Sequence, residues 1–76
     1  MNIKDLKQRI ESLAHHVLFD YNGKPCGVDP FNAHHFEMWY GDQDYDATSI
    51  DDVMNIKLFD GKSLIEIFDK IENLEI

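Results

Sequence analysis

The clearest structural signal in the sequence is the segment Val17-Leu18-Phe19-Asp20-Tyr21-Asn22-Gly23-Lys24-Pro25-Cys26-Gly27-Val28. Its first five residues alternate between apolar core candidates and outward positions, which predicts a strand over 17–21. Asn22-Gly23 follows, and both residues tolerate the positive φ angles of a tight hairpin turn. The chain should return as a short second strand over 26–28, because Asp29-Pro30 disfavours continuation.

The next segment, 34–40, also alternates and predicts a third strand. Its two faces differ in chemistry. Phe36, Met38 and Tyr40 share one face, and His35, Glu37 and Trp39 share the other. Residues 41–43 form a turn, and residues 44–48 are predicted as a further strand or an irregular edge.

Helices are predicted on both sides of these strands. Residues 3–17 carry apolar side chains at three- and four-residue steps, with Asn2 as the N-cap. Ser49-Ile50-Asp51-Asp52 resembles a capping box and should open a short helix that ends at Met54 or Asn55. Ser63-Leu64-Ile65-Glu66 is a full capping box. It should open a C-terminal helix, whose apolar positions are Leu64, Ile67, Phe68, Ile71 and Leu74.

These elements predict one α+β domain over residues 1–76. Its order is an N-terminal helix, a two- to four-stranded antiparallel meander sheet, a short helix and a C-terminal helix. Neither end helix can bury its apolar stripe alone, so both should pack on the Phe36 face in a two-layer sandwich. Glu37 and Trp39 would then lie on the open face of the sheet.

Composition excludes several classes of protein. The net charge of −8 predicts repulsion from nucleic acids and from anionic membranes. The single Cys cannot form an internal disulfide, and no apolar run approaches the roughly 18 residues of a membrane span. The first residues lack the apolar centre of a signal peptide. We therefore expect a cytoplasmic protein that binds neither membranes nor nucleic acids directly.

The charge is concentrated in one segment. Residues 29–56 contain no Lys or Arg and seven carboxylates. Asp42, Asp44 and Asp46 alternate, so on an extended segment they would face one way about 7 Å apart. Such a row suits a basic protein surface, including a groove built for a phosphate backbone. The predicted partner-binding residues are Glu37, Trp39, Asp42, Asp44, Tyr45, Asp46, Asp51 and Asp52.

The competing interpretation is a solvated turn followed by acids that suit a helix N-terminus. Asp51 and Asp52 fit this interpretation best, and the three alternating Asp fit it least well. The leading hypothesis is a non-enzymatic binding protein that docks on a basic protein. Inhibition of a nucleic-acid-handling enzyme by phosphate mimicry would be its specific form.

A divalent-cation or zinc-stabilised regulatory module is the alternative. From Asp42, the first three ligand positions of a calcium loop are filled, but Ala47 and Val53 replace its Gly and its bidentate Glu. Cys26 with His residues from the pairs 15–16 and 34–35 contains zinc-ligand types without the usual short spacing. We assign no metal ligand and no cofactor.

An enzyme that uses Cys26 and a His is a further alternative, because a thiol, a base and Asp29 are the types that nucleophilic catalysis needs. A small domain has little room for a water-excluding pocket. We expect no enzymatic activity and assign no catalytic residue.

Three runs of sequence carry a resemblance to known proteins: 27–31 (GVDPF), 38–42 (MWYGD) and 59–68 (FDGKSLIEIF). They resemble small acidic bacterial proteins of genomes and mobile elements, a group to which no activity is attached. The order of elements also resembles the double-stranded-RNA-binding fold. The acidic charge and the absence of that fold's basic loop and basic helix start argue against RNA binding.

Overall fold

A computed structural model describes all residues, 1–76. It contains three α-helices and one five-stranded antiparallel sheet, with the strand order β4-β3-β2-β1-β5. The helices are α1 (Ile3–Glu11), α2 (Ile50–Asn55) and α3 (Leu64–Ile67), and a 3-10 turn (Phe68–Lys70) follows α3. The strands are β1 (Val17–Tyr21), β2 (Lys24–Asn32), β3 (His35–Tyr40), β4 (Gln43–Ala47) and β5 (Glu72–Glu75).

Tight turns set the register of the first four strands. Asn22 and Gly23 have φ angles of 54° and 72°, and they join Tyr21 directly to its partner Lys24. This confirms the predicted hairpin, because two positive φ angles give the turn a twist that matches its strands. Gly41, with φ 60°, turns β3 into β4. A slip of one residue would move every core side chain to solvent, so these turns also decide which face is open.

The second strand is longer than predicted, because Asp29-Pro30 does not end it. β2 continues to Asn32, and Pro30 pairs with Phe36 of β3. The pairing of β2 with β1 stops at Val28, so Pro30 has a neighbouring strand on one side only. A proline is tolerated in a strand where no hydrogen bond from its nitrogen is required. The predicted end of the strand at Val28 is therefore wrong, because the prediction did not account for the position of the strand's neighbours.

The N-terminal helix is shorter than predicted. Its N-cap is confirmed, because the Asn2 side chain accepts a hydrogen bond from the Asp5 backbone N–H at 2.9 Å. In return, the Asp5 carboxylate accepts one from the Asn2 backbone N–H. The helix ends at Glu11 rather than near Val17, and Leu13 adopts a left-handed φ of 60°. This reversal lets the chain enter β1 at Val17.

The C-terminal helix is the largest correction to the predicted fold. The capping box at Ser63 and Glu66 forms, but α3 has only four residues and the chain becomes extended at Glu72. Residues 72–75 pair with β1 as a fifth strand. That pairing uses backbone groups along β1 that would otherwise form an open edge. The sheet therefore has five strands rather than two to four.

All three helices pack on one face of the sheet. Their buried residues join the inward side chains of β1 to β4 in a single core, in which Phe36, Phe59 and Leu6 are among the largest fully buried side chains. The predicted α+β class is confirmed, and the opposite face of the sheet carries no helix. The longest helix has nine residues, and none of the helices has the length and apolar character needed to cross a membrane.

Candidate protein-binding surface

The side of the sheet away from the helices, which we call the open face, carries carboxylates in direct cross-strand register. Asp46 pairs with Glu37, and Glu37 pairs with Asp29. Directly opposed residues have Cβ atoms about 5 Å apart, and like charges in that position destabilise a sheet. Solubility alone does not require carboxylates to be directly opposite one another on neighbouring strands. The row of three carboxylates is therefore the feature of the open face that most needs explanation.

Trp39 lies beside this row and is packed flat on the sheet. A Cβ atom added to Gly27, its cross-strand partner, would meet Trp39 Cζ2 at 2.2 Å and the two bonded ring atoms at 2.7 Å each. The added Cβ would therefore lie above the plane of the indole ring. If it lay in that plane, the two atoms bonded to Cζ2 would be much farther from it than Cζ2 itself. One face of the indole thus covers Gly27, and the side chain remains partly exposed. Glycine is required here for close contact rather than for an unusual φ angle.

Acidic groups surround this aromatic centre. Asp44 is directly opposite Trp39 on β4, and Glu75 is opposite Leu18 on β1. Lys24 is the single Lys or Arg in the five strands, and it pairs with the core residue Tyr21 and lies over the Tyr40 ring at 4.9 Å. No Lys or Arg therefore points from a strand into the open face. An apolar centre with a charged rim is the common anatomy of a protein interface.

The far end of the open face carries an imidazole and an aromatic ring. His35 Nε2 lies 3.4 Å from Asp46 Oδ1, and both side chains are largely exposed. Phe31 packs against the His35 ring with centroids 4.9 Å apart and is 52% exposed. The carboxylate row thus runs between two aromatic groups, Phe31 and Trp39.

Four of the eight predicted partner-binding residues share one face of the sheet. Glu37, Trp39, Asp44 and Asp46 lie together on the open face. Asp42 is exposed in the turn that follows β3.

Tyr45, Asp51 and Asp52 do not join the open-face group. Tyr45 points toward the helices, and its hydroxyl donates to both carboxylate oxygens of Asp52, at 2.9 and 3.1 Å. The bond to Asp52 and partial burial raise the pKa of Tyr45. Asp52 also accepts from the Thr48 backbone N–H. Tyr45 and Asp52 therefore fix the start of α2 against β4, and Asp51 is exposed in the first turn of α2.

The residues considered for catalysis and metal binding are dispersed. The Cys26 thiol is buried on the core side, and burial raises its pKa to about 11. Cys26 shares no cavity with any His. No three His, Cys, Asp or Glu side chains lie close enough together to hold a metal ion.

Sequence reasoning missed several open-face residues. Asp29 was attributed to a turn before Pro30, yet it lies within β2 opposite Glu37. Leu18 and Asp20 were placed on the outward side of β1, but nothing local linked them to Trp39. Glu75 follows the last position of the predicted C-terminal helix, and nothing local placed it in a strand. The alternation of side chains along β1 indicated that Leu18 and Asp20 face outward. Only the register of the five strands shows that they lie beside Trp39.

Comparisons with known proteins provide no family for this chain: no family model, no curated protein and no solved structure matches it.

Proposed function

We propose that this protein is a non-enzymatic binding protein whose open face docks on a basic protein surface. The observation that carries the proposal is the directly opposed row Asp46–Glu37–Asp29 beside Trp39. A partner that brings positive charge to this row would relieve its mutual repulsion. Binding is then favoured by the opposite charges of the two surfaces and by relief of the repulsion between carboxylates in the free protein.

Charge distribution supports one docking side. The open face has no Lys or Arg from the strands, whereas Lys4, Lys7 and Arg9 all lie on α1, in the helical layer. The molecule is therefore electrostatically two-sided. A basic partner would be steered toward the sheet and would meet Trp39 near the centre of the surface.

Phosphate mimicry is the specific form of this proposal. Carboxylates spaced about 5 Å across strands and about 7 Å along them present a dense array of negative charge. A groove that binds a nucleic-acid backbone offers the complementary array of Lys and Arg. We propose that a nucleic-acid-handling enzyme is the partner and that occupation of its groove inhibits it. The resemblance to proteins of mobile elements is consistent with such an inhibitor.

Affinity purification from a bacterial lysate tests the proposal, with the intact protein as bait. The test variant is the double substitution Asp44→Asn, Asp46→Asn. The matched control is Asp51→Asn, Asp69→Asn, which changes the charge equally at exposed positions outside the sheet. We expect a basic protein to be enriched by the wild type and by the control, to be lost with the test variant, and to dissociate as salt is raised. Equal retention by both variants would contradict the proposal.

Competition with duplex DNA then tests mimicry. If the acidic face occupies a nucleic-acid groove, DNA should displace the protein from the purified partner. A stable complex of all three components would show that the docking site is elsewhere on the partner.

A further inference from the structure

A shallow groove crosses the open face between Trp39 and the fifth strand. Its volume is about 250 Å³, and Leu18, Pro25 and Trp39 supply its apolar surface. Leu18 and Gly27 are directly opposite each other, so the indole that covers Gly27 has its outer edge toward Leu18. The groove therefore depends on the flat position of the ring and on the presence of β5.

Two carboxylates lie at the groove, and one of them is oriented by a side chain. Asn73 Nδ2 donates to Asp20 Oδ2 at 2.8 Å, which leaves Asp20 Oδ1 free. Asn73 adopts a positive φ of 56° where the register between β1 and β5 shifts. Glu75 lines the groove beside them, and no Lys, Arg or His does.

We propose that this groove receives an arginine side chain of the basic partner, and this inference rests on the proposed function above. The aliphatic stem of arginine would cover Leu18 and Pro25 along the edge of Trp39. The guanidinium would reach Asp20 and Glu75, because its five donors can serve two carboxylates at once. Charge complementarity selects this occupant over others. An aliphatic side chain would leave the carboxylates unpaired, and a second copy of this chain would bring like charge.

The single Trp provides the assay, because Trp39 is the sole indole in the chain. The intact protein is titrated with the capped tripeptide Gly-Arg-Gly while indole fluorescence is recorded. The same peptide with lysine, or with the neutral isostere citrulline, serves as the comparison. We expect a saturable change with arginine, weaker binding with lysine and none with citrulline.

Variants locate the site. Asp20→Asn keeps an oxygen that can accept from Asn73, and Glu75→Gln is isosteric. Each should weaken binding of the arginine peptide about two- to five-fold, as expected for loss of one exposed ion pair. Asp69→Asn, which removes an exposed carboxylate outside the sheet, is the control and should change binding less than two-fold. Circular dichroism checks that each variant is folded.

The outcomes separate this inference from the proposed function. Equal binding of citrulline or lysine, or no effect of Asp20→Asn and Glu75→Gln, would overturn the arginine groove. If these variants still capture the basic partner fully, the groove inference fails while the wider docking surface stands. If the peptide binds as expected but Asp44→Asn, Asp46→Asn loses no partner, the groove stands and the proposed function fails.

Discussion

Glu37 provides a direct test of whether the carboxylate row carries a stability cost. It lies between Asp46 and Asp29 and pairs directly with both. Glu37→Gln keeps the size of the side chain and removes both repulsive pairs. We expect this substitution to stabilise the protein, although most substitutions destabilise.

The magnitude follows from the register. Two unit charges 5 Å apart in water repel by about 0.8 kcal/mol, and measured cross-strand pairs fall in a range of about 0.2–1 kcal/mol. Asp46 also contacts His35, and its side chain is 74% exposed to solvent. Both features weaken the repulsion between Asp46 and Glu37. Two pairs together should give about 1 kcal/mol at low ionic strength. For a domain of this size that gain raises Tm by about 4–8 °C.

Thermal unfolding followed by circular dichroism at pH 7 measures this gain. The matched control is Asp44→Asn, which also removes one exposed strand carboxylate from the same face but is directly opposite Trp39 rather than a carboxylate. At 0.5 M salt, screening should reduce the gain of the Glu37 variant to less than half. A Tm at or below that of the wild type, or a gain that salt does not change, would show that the opposed carboxylates do not destabilise the sheet. The same variant should bind a basic partner more weakly, which is a trade of function against stability.

Three further predictions concern the sheet, the capping box and the thiol. Gly27→Ala should destabilise by about 1–3 kcal/mol, because the new methyl group cannot fit under Trp39; chemical denaturation measures the loss, and unchanged indole fluorescence would contradict it. The hydrogen bonds from Lys57 and the Ser63 N–H lower the pKa of Glu66 from 4.5 to about 2, so its stabilisation is complete above pH 4.5 and is lost as pH falls through about 2. The Tm advantage of the wild type over Glu66→Gln should therefore shrink between pH 5 and pH 2, and a constant difference would contradict this. The Cys26 thiol, with a pKa of about 11, should have about a hundredth of the thiolate of a free cysteine at pH 8; rapid labelling of the folded protein by a disulfide reagent would show that the thiol is accessible.

Local patterns were sufficient where one physical preference dominates. Asn22-Gly23 has two residues that accept positive φ, so the hairpin was predictable from two letters. The strict alternation over 35–40 likewise assigned Phe36 to the core and Glu37 to the open face. Caps at Asn2 and Ser63 were predictable because each is a bond between side chain and backbone within a few residues.

Patterns failed where a distant partner decides the conformation. Residues 64–74 have helical spacing, yet the chain leaves the helix and residues 72–75 pair with β1, a partner that is distant in the sequence. Pro30 stays in a strand because β1 does not extend beside it: the first residue of β1, Val17, pairs with Val28. Tyr45 was grouped with its neighbouring acids, but its hydroxyl is held by Asp52 on the helical side.

The α+β class, the excess of acid in one segment and the outward direction of Glu37 and Trp39 were predictable from the amino-acid sequence alone. Each of these depends on composition or on the period of two along a strand. The fold was needed to show that Asp46, Glu37 and Asp29 form one row, and that Asp20 and Glu75 meet near Trp39. Those relations are set by the register between strands whose paired residues are up to 57 positions apart in the sequence, and a one-residue slip would abolish them.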